Sequence, residues 1–325
     1  MTIHTPLCDL LGGKHPIMLA GMGGVSYAEV VAAVSNAGGF GTLGMAGLKV
    51  SEIEAQVKKT KDLTDKPFGL DLLAALPETL ERTVDLIIDY KIDAFISGLG
   101  VPFNIKDKLQ SAGVKVMNVC GKVDHAIKGA EAGLDAVIVQ GTEGGGHTGK
   151  VAGMALLPQA AAAVDIPVIG AGSIIDGRGL AAALAFGCQG VWVGTRFIAS
   201  KEAHAGTLYQ ESITQAKDSD TVVTRSYSGK TMRVRRNAYT DDWESRPQDI
   251  QPFPQQASDA TRAGVMGGIS GQLDGLDPDR SCFPMGQGAG GITAVKSCAE
   301  IIDEMVAEAQ AVISRLSSMQ QNAVA

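Results

Sequence analysis

The chain is expected to fold as an α/β protein: a (β/α)8 TIM barrel with a small, mostly helical cap inserted after the eighth strand. Three observations predict this. Short apolar runs alternate with longer helix-patterned stretches, and that alternation builds a parallel sheet. Eight such units close the sheet into a barrel. After Thr195 the alternation stops, and a region with prolines and a polar stretch at 241–256 begins. An open doubly wound sheet is the alternative for the same alternation.

Strands are expected at residues 15–20, 40–44, 68–73, 94–98, 115–119, 136–140, 168–171 and 191–194. Helices are expected between them at 27–37, 51–62, 77–90, 104–112, 123–132, 155–164 and 176–186. Four of these end at Gly38, Gly113, Gly133 and Gly187, because glycine takes the left-handed helix-ending conformation without steric cost. Residues 202–282 form the expected cap on the substrate side. Residues 1–201 and 283–325 form the expected barrel, with 293–319 patterned as its last helix.

With 325 residues the chain can bury a large core. A net charge of −7 and a pI of about 5.3 argue against a nucleic-acid partner. The five cysteines are scattered without a Cys-x-x-Cys pair. Neither a zinc site nor a disulfide framework is therefore expected, and a reducing cytoplasm is the expected location. No apolar run reaches the roughly 18 residues of a membrane span. The N-terminus lacks the basic-then-apolar pattern of a secretory leader.

Barrels gather ligand-binding groups at the C-terminal ends of their strands. Here the sixth strand runs into Gln140-Gly141-Thr142-Glu143-Gly144-Gly145-Gly146-His147-Thr148-Gly149. Glycine lets a flat ligand approach the backbone, and histidine titrates near neutral pH. The pair suits a planar, reactive cofactor; a flexible turn with a surface histidine is the plain alternative. The first strand ends Ala20-Gly21-Met22-Gly23-Gly24, the seventh Gly170-Ala171-Gly172-Ser173, and the eighth Gly194-Thr195-Arg196-Phe197. Backbone amides of Gly172, Ser173, Gly194 and Thr195, helped by the Ser173 and Thr195 hydroxyls, are expected to converge on a phosphate. Tight barrel packing is the alternative use of these glycines.

Other motifs are weaker. Gly286, Gly288 and Gly291 spell G-x-G-x-x-G without a preceding strand, so they fail the dinucleotide context and are expected to close a pocket instead. Lys122 and Lys150 near strand ends are weak Schiff-base candidates. No clustered acid and histidine set predicts a metal. The stretch Asn237-Ala238-Tyr239-Thr240 reads either as pocket lining or as a solvated cap helix.

At these residues the chain resembles the FMN-dependent nitronate monooxygenase family, formerly called 2-nitropropane dioxygenases. That superfamily includes FMN-type enoyl-acyl carrier protein reductases and NADH:quinone reductases. The matching features are His15-Pro16-Ile17-Met18, Gly145-Gly146-His147, Gly170-Ala171-Gly172-Ser173-Ile174, Asp176-Gly177-Arg178-Gly179, Gly194-Thr195-Arg196-Phe197 and Gly286-Gln287-Gly288-Ala289. They cover nearly the whole chain. The resemblance implies an FMN across the barrel mouth, its phosphate at Gly172, Ser173, Gly194 and Thr195. It implies that Gly21, Met22 and Gly23 line the flavin, that Gly145 and Gly146 flank its ring, that Gln140 bonds its edge, and that Gln287 contributes from the closing motif. His147 falls on the family's catalytic histidine. The implied reaction is oxidation of an alkyl nitronate or nitroalkane by O₂, with a homodimer among the expectations. The alternative is NAD(P)H-dependent reduction of an enoyl thioester or quinone. Two departures bear on the reaction: Ala20-Gly21-Met22-Gly23-Gly24 replaces Ala-Pro-Met-Ala-Gly, and Asn118-Val119-Cys120 stands where some relatives carry a lysine.

Overall fold

The computed structural model describes residues 3–72, 77–98, 100 and 102–321. Its strands are β1 Ile17–Leu19, β2 Gly41–Gly44, β3 Phe68–Leu72, β4 Ala94–Ser97, β5 Lys115–Cys120, β6 Ala136–Gln140, β7 Gly146–His147, β8 Val168–Ala171, β9 Gly190–Val193, β10 Thr221–Thr224 and β11 Met232–Arg235. Eight of them form one parallel sheet in the order β1-β9-β8-β6-β5-β4-β3-β2. The two ends meet: the Leu19 amide donates to the Phe40 carbonyl and the Phe40 amide to the Ile17 carbonyl, both at 2.9 Å. The sheet is therefore a closed barrel. All eight expected barrel strands are present with slightly shifted ends, and Leu73 lies outside the described residues.

The strands are apolar on both faces because each face meets a core. In β6, Ala136 and Ile138 point into the barrel beside Met18, Met117, Ile169 and Trp192. Val137 and Val139 point outward under the helices. This is the period of two, with both faces covered, that a parallel sheet requires. The N-terminal helix Pro6–Leu11 sends Leu7 and Leu11 into the inner cluster, closing the barrel at the end away from the mouth. Gly38, Gly113, Gly133 and Gly187 all take positive φ just past their helices, as the sequence predicts.

Two features differ from the sequence expectation. The last helix begins at Cys298 rather than 293. Residues just before it are tied down: the Ala294 carbonyl accepts from the buried Arg196 guanidinium at 2.7 Å, and Lys296 bridges Ser200. The segment after the eighth barrel strand holds helices Thr207–Thr214, Ala238–Glu244 and Gln255–Arg262, and also an antiparallel ribbon, β10 with β11. That ribbon pairs with β7 in the histidine loop, Met232 opposite His147 and Arg233 opposite Gly146.

Candidate active site

The C-terminal ends of the barrel strands surround a cavity of about 520 Å³. Its lining includes Gly21, Met22, Gly23, Gln140, Gly145, Gly146, His147, Gly172, Ser173, Gly194 and Thr195, so eleven of the twelve residues singled out from sequence meet in one place. Gln287 does not line the cavity. Its amide donates to the Glu143 carbonyl at 3.0 Å, its side chain is exposed, and the turn presents Gly288 inward instead. Lys122 and Lys150 are exposed and off the lining. Asn237 and Thr240 are also off it: they cap the helix Ala238–Glu244 and are buried.

The histidine loop is fixed from three sides. Glu143 accepts the Gly153 amide on its carboxylate, and its carbonyl accepts the Ser173 hydroxyl at 2.9 Å. Gly145 lies against the chain at Met285, where a Cβ would come within 2.7 Å of the Met285 carbonyl carbon. The Gln140 side-chain amide donates to the His147 carbonyl at 2.9 Å. Gln140 thus spends one of its two N–H groups on the loop and also lines the cavity.

The His147 ring is open to the cavity, with Nε2 at 3.0 Å from Ser228 Oγ. Surrounding protein strips part of its hydration, and Lys230 adds like charge; both lower its pKa below the ordinary 6.5. The imidazole is therefore neutral at pH 7 and able to accept a proton. Sequence spacing gave no sign of Ser228, which the ribbon delivers from 81 residues away. Ser228→Ala is expected to reduce turnover by about two- to tenfold, the worth of one orienting hydrogen bond. Ser228→Thr should restore most of it. Equal losses in both variants would reject the orienting role.

On the other side of the mouth, β8 and β9 end side by side. Gly172 and Ser173 both take positive φ, 110° and 52°, so the chain turns sharply as it leaves β8. The amides of Gly172, Ser173, Gly194 and Thr195 donate to no backbone acceptor among the described residues. Four free amides on adjacent loops fit a phosphate. Ser173 Oγ accepts the Gly288 amide at 2.9 Å and donates to the Glu143 carbonyl, and Thr195 Oγ1 accepts the Gly286 amide at 3.0 Å. Both hydroxyls pin the closing turn to the strand ends. Met232, Phe253, Ala257, Met266, Ile269 and Pro284 add apolar side chains to the lining. Phe253 carries the Lys230 ammonium 4.4 Å from its ring centre. No group of three or more potential metal ligands occurs among the described residues. No described helix is long and apolar enough to cross a membrane.

A closed parallel barrel with a glycine-lined mouth, four amides free of backbone acceptors and one neutral histidine defines a ligand-binding α/β-barrel protein, and its relatives place it among oxidoreductases. The chain belongs to the nitronate monooxygenase family, whose model matches residues 4–83 and 79–308. It is 44% identical over 233 residues, 72% of this chain, to (3aS,4S,5R,7aS)-5-hydroxy-7a-methyl-1-oxo-octahydro-1H-indene-4-carboxyl-CoA dehydrogenase of Rhodococcus jostii. The matched stretch spans 66% of that relative's length. It is 32% identical over 302 residues to a probable nitronate monooxygenase of Staphylococcus saprophyticus, covering 79% of this chain and 85% of the relative. Among solved structures, FabK from Thermotoga maritima superposes with a TM-score of 0.90 at 34% identity, over 98% of this chain and 100% of that one. Nitroalkane oxidase from Streptomyces ansochromogenes gives 0.84 at 26% identity, over 95% and 99%.

Proposed function

We propose that the chain is an FMN-dependent oxidoreductase of acyl thioesters, removing or adding hydrogen at the carbons next to the thioester carbonyl. The observation that carries this reading is the mouth itself: a cavity of about 520 Å³ lined by bare glycines and by apolar side chains from Met232 to Pro284, with neutral His147 in the same lining. That space suits a bulky acyl group more than a short nitronate. The 44% identity to a dehydrogenase named for a carboxyl-CoA substrate supports the same choice.

The amides of Gly172, Ser173, Gly194 and Thr195 would hold the FMN phosphate, and Gly21, Met22, Gly23, Gly145 and Gly146 would border the ring. FMN supplies the reversible two-electron chemistry that the side chains lack. His147 takes the acidic proton beside the carbonyl as a general base, oriented by Ser228. Residues 202–282 serve as the cap, and their apolar wall keeps water from the reacting carbon. Because His147 must be neutral, kcat/KM is expected to hold as pH falls and to drop only below the ordinary histidine value of 6.5. Lys230→Met removes the neighbouring positive charge, so the acid limb should move to higher pH. A limb that stays in place would exclude Lys230 as a contributor.

Oxidation of alkyl nitronates by O₂ is the second reading, favoured by the family match and the Staphylococcus relative. Anaerobic mixing of the FMN-loaded protein with saturated acyl-CoA, NADH, NADPH and a short alkyl nitronate separates the readings. Bleaching of the flavin by acyl-CoA, or by NAD(P)H followed by reoxidation with an enoyl-CoA, is the expected result. Bleaching by nitronate alone, with oxygen uptake in air, would replace the thioester reading. A protein that takes up no FMN would remove the cofactor assignment.

A further inference from the structure

The turn between β10 and β11 that carries Ser228 also carries Lys230. Gly229 takes φ 78°, and a Cβ there would lie 2.5 Å from the Phe253 amide nitrogen and 2.6 Å from the Gln251 carbonyl oxygen. The turn therefore sits backbone to backbone on segment 251–253. Ser228 Oγ accepts the Lys230 amide at 3.3 Å and lies 3.0 Å from His147 Nε2. Lys230 thus leaves the main chain beside the hydroxyl that orients His147.

Its side chain runs over the ring of Phe253, with the ammonium 4.4 Å from the ring centre. That ring lines the cavity and is 40% exposed, so it stands where the cavity meets solvent. Lys230 is half-buried, and its ammonium makes no hydrogen bond or ion pair among the described residues. Lys201 and Lys296, by contrast, sit on Glu300 and Glu304. Arg233, the ribbon cation paired across from Gly146, is spent: Nε donates to the Thr142 carbonyl and Nη1 to the Thr221 hydroxyl, both at 2.9 Å. No lysine or arginine occurs in the cavity lining.

An aromatic face holds an ammonium without neutralising it and without using its N–H donors. A glycine and apolar lining suits an uncharged reacting group, so a charge on the ligand belongs at the edge of the cavity, where Phe253 and Lys230 stand.

We propose that Lys230 is a specificity-determining residue, whose ammonium binds a phosphate on the arm of the ligand that enters past Phe253. Two carriers bring a phosphate to this edge. The first is the phosphorylated pantetheine arm of an acyl-CoA, which rests on the thioester reading. The second is the pyrophosphate of a nicotinamide dinucleotide.

The test compares ligands with and without phosphate, at a pH above the acid limb of His147 so that its titration does not enter. Lys230→Met keeps a long stem over the Phe253 ring and removes the charge; Lys230→Arg keeps both. Calorimetry of the FMN-loaded protein with free coenzyme A and with pantetheine reads binding without turnover. Coenzyme A is expected to bind about tenfold more weakly to Lys230→Met, with pantetheine unchanged and Lys230→Arg within about twofold of the wild type. Added salt should weaken coenzyme A binding to the wild type far more than to Lys230→Met. In turnover the loss should fall mainly on KM for acyl-CoA, and KM for the matching acyl-pantetheine should not follow it.

NADH and NADPH go through the same comparison, with dihydronicotinamide riboside as their phosphate-free partner. Equal losses with and without phosphate, or no loss for coenzyme A and the dinucleotides alike, overturns the proposal, because a lysine that only supports the fold weakens both kinds of ligand or neither. If the wild type binds neither coenzyme A nor acyl-CoA, the thioester reading fails. A Lys230-dependent difference confined to the dinucleotides then supports the phosphate site with the second carrier, and its absence there overturns the site as well.

Discussion

Replacing His147 by alanine is expected to lower turnover by roughly a hundred- to ten-thousandfold while FMN stays bound, the usual worth of a positioned general base. The loop should survive the change, because its supports are not the imidazole. Backbone pairing joins β7 to β11, and Gln140 holds the His147 carbonyl rather than its ring. The Glu143 carboxylate anchors the loop to the Gly153 amide. Steady-state turnover measured beside flavin content separates catalysis from cofactor loss. A variant with full flavin and wild-type turnover would dismiss His147 as the base. The Ser228→Ala loss should vanish in the His147→Ala background, since a residue that orients an absent ring has nothing left to orient.

Gly194→Asp is expected to give a folded protein that cannot retain FMN. A Cβ at Gly194 meets only ordinary contacts, 3.4 Å from Met22 Sδ and 3.5 Å from the Ala20 Cβ, so the barrel can accept a side chain there. Gly194 also precedes the short helix Thr195–Ile198, and aspartate is a favourable residue in that position. What the substitution disturbs is the group of free amides at Gly172, Ser173, Gly194 and Thr195, by placing a carboxylate where a phosphate would sit. Affinity for FMN should fall at least about a hundredfold, as expected when two like charges compete for desolvated donors. Gly194→Ala, which adds bulk without charge, should keep most of its flavin. The measurement is flavin retained after desalting, set against the circular dichroism spectrum. An unaltered flavin content in Gly194→Asp would remove this strand end from the phosphate site.

Local signals were enough for the barrel and for most of the mouth. Apolar β-branched runs and helix-ending glycines fix strand and helix in their own neighbourhoods, and a parallel barrel places every strand end on one rim. That is why residues as far apart as Gly21 and Thr195 were legible as one cavity. Gln287 lies off the cavity lining and Gly288 on it, a difference the sequence hides because a glycine-rich turn does not reveal which of its residues faces inward; here the hydrogen bonds to Glu143 and Ser173 orient the turn.

The sequence by itself determined the alternating architecture, the glycine-lined rim and the single histidine in it, because these depend on residue type and on spacing along one strand or loop. Tertiary structure decided what that histidine touches. Ser228 and Lys230 reach it through a ribbon paired across the chain. Those relations arise from long-range backbone pairing and burial, which shift protonation states without leaving a periodic trace in the sequence.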